Sequence, residues 1–121
     1  MPRDATELLI DILRSANDVM DYVAGLDFDA FVRLPYDDRK TYRAIKNAIA
    51  EMGQAIKSLP QEIKDRNASI DWPGLAGLRD IVAHQYHRIE MEMLWPVIKD
   101  EFPALVQVAE AELRCYILKP K

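Results

Sequence analysis

Cysteine is almost missing from this chain: Cys115 is the only one in 121 residues. No intramolecular disulfide can form, so the fold has no oxidised framework and fits a reducing compartment. No apolar run approaches the roughly 18 residues of a membrane span. The opening residues, through Glu7, carry acids where a signal peptide would carry a basic region. The expected setting is therefore the cytoplasm, with no membrane partner. Excess positive charge is also lacking. A net charge of -4 argues against indiscriminate nucleic-acid binding, because non-specific affinity comes from cations that neutralise phosphates. Any RNA contact must rest on a local basic surface. No alternating strand pattern, internal repeat or low-complexity run occurs. Half of the residues are hydrophobic and 30% are charged, an ordinary globular balance for one domain spanning 1–121.

Helical periodicity fills most of the chain. Over 4–24, Leu8, Leu9, Ile12, Leu13, Ala16, Val19, Met20 and Val23 recur at three- and four-residue spacing. Asp4 and Glu7 resemble a capping box, and Gly25 ends the run. Residues 26–31 could add a short turn that returns two phenylalanines to the core, before Pro35 breaks the chain. A second helix is expected over 38–59, with Tyr42, Ile45, Ile49, Met52, Ile56 and Leu59 buried and Asp37 or Asp38 as cap. Gly53 inside it predicts close approach by a neighbouring helix. Arg39, Arg43 and Lys46 form one basic stripe, either a solvated face or a phosphate-contacting rim.

Residues 60–72 read as irregular. A third helix starts near Pro73 with Asp71 as cap, reaches His84 or a little beyond, and packs tightly at Gly74 and Gly77. Met91, Leu94, Trp95, Val97 and Ile98 are helical again, although Pro96 must begin, kink or interrupt that helix. Phe102-Pro103 punctuates a last helix over 104–117, with Leu105, Val108, Ala111 and Cys115 on its apolar face. The expected fold is all-α, an up-and-down four-helix bundle with short extra helical turns.

The stretch Leu78-Arg79-Asp80-Ile81-Val82-Ala83-His84-Gln85-Tyr86-His87-Arg88-Ile89 concentrates the chemistry. It holds both histidines of the chain. His84 can carry protons near neutral pH, and Arg79 presents a permanently charged fork of donors suited to phosphate. No Ser or Cys nucleophile has an obvious base. These parts fit RNA cleavage in which the substrate's own 2'-hydroxyl attacks the adjacent phosphorus, with the protein positioning, shuttling protons and neutralising charge. His84 and His87, at i, i+3, could share a metal, but Glu-x-x-His pairs on facing helices are lacking, so neither metal nor other cofactor is expected.

One geometric difficulty stands. Five residues of regular helix turn the side chain by ~500°, leaving Arg79 and His84 about 140° apart. Either the helix changes course near His84, or the long Arg79 side chain bridges the gap, or a second subunit completes the site. Cleavage by 2'-hydroxyl attack benefits from both a base and an acid, which a two-fold homodimer would supply as two copies of His84.

Arg79, Asp80, His84 and Tyr86 together resemble the signature of the HEPN ribonucleases, and the trailing tyrosine narrows it to the HepT-type toxins. The likeness includes Arg39-Lys40-Thr41-Tyr42-Arg43-Ala44-Ile45, Met52-Gly53-Gln54-Ala55, Ile70-Asp71-Trp72-Pro73-Gly74 and Leu94-Trp95. It implies a HEPN helical bundle, a homodimer with its cleft at the interface, and a metal-independent endoribonuclease with Arg79 and His84 catalytic and Asp80 supporting. It also implies a toxin of a type II/VII-like toxin–antitoxin pair, silenced when an MntA-type nucleotidyltransferase antitoxin transfers AMP to Tyr86. Arg39, Arg43, Lys46 and Arg88 are the candidate RNA contacts. The chain departs from the family with Asp80 where Asn is common, with Gln54 where Glu is common, and with Asn47 at a commonly basic position. An Asp80–Arg79 salt bridge or a buried His84 would favour a different reading, a non-catalytic HEPN module that binds a nucleotidyltransferase.

Overall fold

The computed structural model describes residues 4–83 and 87–118, the side chains of His87, Ile117 and Leu118 excepted. Within them the chain is helical throughout: α1 (Ala5–Val23), α2 (Phe28–Val32), α3 (Leu34–Asp37), α4 (Arg39–Ser58), α5 (Gln61–Arg66), α6 (Trp72–Ala83), α7 (His87–Asp100) and α8 (Phe102–Leu118). This is an all-α bundle of HEPN type. Among the described residues no helix is long and apolar enough to cross a membrane.

Helix α4 lies at the centre, packed on α1 along one side and α6 along the other, while α8 covers α1 and α7 closes on α2 and α8. Its expected stripe is buried in full, from Tyr42 through Ile45, Ile49, Met52 and Ile56 to Leu59. Each such aliphatic side chain contributes about 1.5–3 kcal/mol by leaving water. Helix α1 supplies Leu8, Leu9, Ile12, Ala16, Val19 and Val23 to the same core.

The helix ends follow from short polar side chains. Asp4 accepts from the Glu7 backbone N–H at 2.9 Å, Asp38 from that of Thr41 at 3.1 Å, and Asp71 from that of Gly74 at 3.1 Å. Each satisfies an amide that has no partner inside the first turn. Gly25, at φ +82°, takes the left-handed conformation that terminates α1.

Several expectations are corrected. Residues 60–72 contain α5, whose six residues bury only Ile63, too short a stripe for periodicity to reveal. Pro35 and Pro103 do not break helices but sit in the first turns of α3 and α8, where their missing N–H costs nothing. Helix α7 runs through Pro96, whose exposed position lets water take the freed Glu92 carbonyl. Phe31 reaches the core, but Phe28 stays 39% exposed and meets the Trp95 ring edge-on. On α8 the buried phase is Phe102, Leu105 and Ala109, leaving Ala111 and Cys115 exposed. Gly77 has open space around it, and Gly74 is crowded only by its own cap, Asp71.

Candidate active site

Gly53 is the place where α6 comes closest to α4. A Cβ added there would lie 3.1 Å from the Ala76 carbonyl oxygen and 3.1 Å from the Cβ of Arg79. The absence of a side chain at Gly53 therefore lets α6 settle against α4 at Arg79. One residue further along α4, the Gln54 Oε1 accepts a hydrogen bond of 2.5 Å from the Arg79 Nη1. Arg79 is exposed, and among the described residues no ion pair engages it. Its guanidinium is held by a neutral amide and keeps its full charge.

A second tie holds the chain beyond the motif. The Tyr42 hydroxyl, on the first turn of α4, donates a very short hydrogen bond to Glu90 Oε1 on α7. Both residues are buried, Tyr42 at 3% and Glu90 at 2% exposure. Burial raises the Tyr42 hydroxyl well above its ordinary range, and the Glu90 hydrogen bond and charge push it the same way. Eleven residues separate Tyr42 from Gly53, and eleven separate Arg79 from Glu90. The α6-to-α7 direction is therefore antiparallel to α4, with the motif strung between two anchors on one helix.

The surroundings of Arg79 are electrostatically lopsided. It borders a cleft of about 420 Å³ between α1, α4 and α6, which Asp11 and Glu51 also line. In the other direction, Asn47 and Arg43 lie seven and eleven residues before Gln54, within about 20° of its helical meridian. They line a shallow groove of about 550 Å³ with Arg39 and Lys40. An anionic chain at Arg79 is repelled on the α1 side and attracted along the first half of α4. Lys46 is not in that groove: it is half-buried, and its Nζ lies 5.0 Å from the centre of the Tyr42 ring. Arg88 is exposed and pairs with Glu92 at 2.9 Å.

The family model of the HepT-like ribonucleases matches residues 12–112. The chain belongs to that family. A candidate RNase of Methanocaldococcus jannaschii is 32% identical over 104 residues, covering 85% of this chain and 83% of that one. A candidate RNase of Caldanaerobacter subterraneus is 30% identical over 94 residues, covering 78% of this chain and 80% of its own. A candidate ribonuclease HepT of Thermococcus cleftensis is 28% identical over 105 residues, covering 87% and 92%. No solved structure matches the chain.

Of the expected site residues in this HepT-like ribonuclease, Arg79 and Asp80 are exposed on α6, while His84 and Tyr86 lie outside the described residues. The structure brings together Arg39 and Arg43 and sets Lys46 and Arg88 apart from them. Gln54 and Glu90 were not singled out for a role in the sequence. For Glu90 a signal existed: it is in phase with Leu94 and Ile98, so a glutamate occupies a buried stripe.

Proposed function

We propose that this HepT-like ribonuclease is a metal-independent endoribonuclease and the toxin of a HepT–MntA pair. Arg79 holds the scissile phosphate and stabilises the charge that grows on it, while His84 carries the proton between the substrate's 2'-hydroxyl and the leaving oxygen. Asp80 supports Arg79. The observation that carries this reading is an exposed Arg79, aimed by a neutral amide and engaged in no described ion pair. An arginine intended only to brace the bundle would be better neutralised by a carboxylate. The basic groove of Arg39, Lys40 and Arg43 supplies an approach for the RNA backbone.

The working unit is a cytoplasmic homodimer of a single domain. Ile89 and Met93, one turn apart on α7 immediately after the motif, are 58% and 50% exposed, which supports a pairing face beside the site. The antitoxin would transfer AMP to Tyr86, and the added bulk and negative charge would exclude RNA from the cleft.

The test is cleavage of single-stranded RNA by purified, unmodified protein in excess EDTA, beside Arg79→Ala and His84→Ala. Products ending in 2',3'-cyclic phosphate, lost in both variants, are expected. A wild type as inert as its variants, with a mass that excludes modification of Tyr86, would instead support a non-catalytic module that binds the nucleotidyltransferase.

A further inference from the structure

We infer that Gln54 is a positioning residue of the site: it aims the Arg79 guanidinium while leaving its charge free for an RNA phosphate. The inference rests on the ribonuclease reading for its consequence, but its geometry is independent of that reading.

Arg79 has a long side chain with several rotatable bonds, and at an exposed helix position nothing in its own backbone chooses among its rotamers. Two contacts narrow the choice here. The first is the seat at Gly53, where the Arg79 Cβ lies so close to α4 that even a methyl group would press on it at 3.1 Å. The second is the 2.5 Å hydrogen bond from Nη1 to the Gln54 Oε1. The root and one donor of the side chain are thereby tied to adjacent residues of one helix. The remaining donors of the fork stay available to a phosphate.

The chemistry of the tether matters as much as its place. An amide oxygen accepts the hydrogen bond without cancelling the positive charge. A carboxylate at the same spot would hold Arg79 more strongly, because a charge-assisted pair is roughly twice as strong as a neutral one. It would also compete with the phosphate for the same charge. Asp11 and Glu51 already line the cleft beside Arg79, so one further negative charge at position 54 would deepen a local repulsion that the phosphate must overcome.

Two substitutions separate aim from charge. Gln54→Ala removes the tether and keeps the charge: it should lower kcat about tenfold while binding of a 2'-deoxy, uncleavable oligonucleotide changes less than twofold. Gln54→Glu keeps the tether and adds charge: it should weaken that oligonucleotide about tenfold and reduce the slope of log affinity against log salt by about one phosphate contact. Neither residue is in the core, so circular dichroism and Tm should stay near wild type. In an Arg79→Ala background both substitutions should lose their effect, which a merely structural role would not produce. If wild type cleaves and binds RNA and either variant matches it in both assays, the role of Gln54 is overturned and the ribonuclease reading survives. If wild type neither cleaves nor binds RNA, the ribonuclease reading falls and takes the role of Gln54 with it.

Discussion

Replacing Tyr42 by phenylalanine removes one oxygen from the centre of the bundle, and the structure sets the expected loss. The hydroxyl donates to Glu90 Oε1, and both side chains are shielded from water. A hydrogen bond to a charged group contributes about 1.5–3 kcal/mol, and breaking a buried charged pair by removing one partner costs about 3–5 kcal/mol. The Tyr42 pair has only one charged member, so Tyr42→Phe should destabilise the protein by about 2–4 kcal/mol. For a domain of this size that lowers Tm by roughly 10 °C. Urea unfolding at fixed protomer concentration measures it, since an associating protein gains stability with concentration. The double variant Tyr42→Phe, Glu90→Leu should recover much of the loss, because an apolar pair of similar volume carries no desolvation cost. The alkaline limb adds a sign. Burial raises the folded-state ionisation of Tyr42, so its contribution is complete below the unfolded value of about 10 and declines as pH rises beyond it. That part of the alkaline loss should vanish in Tyr42→Phe. A cost below about 0.5 kcal/mol, or strict additivity of the two substitutions, would refute the reasoning.

The two inner glycines of the α4–α6 region should answer oppositely to alanine. Gly53→Ala gains about 1 kcal/mol of helix propensity but must push back the Ala76 backbone and Arg79, so a net loss of about 1–2 kcal/mol and a clear fall in RNA cleavage are expected; Gly77→Ala, with open space around it, should stabilise by about 0.5–1 kcal/mol in the same urea assay. Glu112 joins α8 to Arg66 at 2.7 Å and to Asn67 at 3.0 Å, and the Arg66 hydrogen bond lowers its ionisation below the usual carboxylate range. Its contribution is therefore present above the unfolded value and lost as pH falls, and Glu112→Gln should flatten the acid side of the stability profile. Ile89→Asp with Met93→Asp should leave helicity intact and convert a dimer to monomer in light scattering; an unchanged dimer mass would exclude this face of α7 as the pairing surface.

Much of the frame was legible because burial imposes period and caps impose chemistry. The stripe from Tyr42 to Leu59 is unambiguous in a helix long enough to repeat it, and Asp4, Asp38 and Asp71 declare their helix starts by side chains that reach the first free amides. Short elements escape such reasoning. In α5 a single buried Ile63 has no second member to set a phase, and in α8 the wrong phase was expected because Ala111 is apolar but small enough to remain in water. Proline misleads in the same way, since its residue type does not reveal whether its amide would have been used.

The site was legible in its membership but not in its support. Arg79, Asp80, His84 and Tyr86 announce themselves as a cluster of types, whereas Gln54 is one exposed polar side chain among many on α4, and nothing local distinguishes it from Glu51 or Lys57. What distinguishes it is register between two helices. Gly53 was the readable clue to that register, because a glycine in a strong helix is tolerated where another backbone needs the space. Once α6 seats there at Arg79, Gln54 is the neighbouring residue that the guanidinium reaches. The antiparallel run from that seat then brings Glu90 to Tyr42. A glycine chosen for packing thus determines which side chain holds the arginine, and a substitution at Gly53 should disturb cleavage more than its effect on stability alone would require.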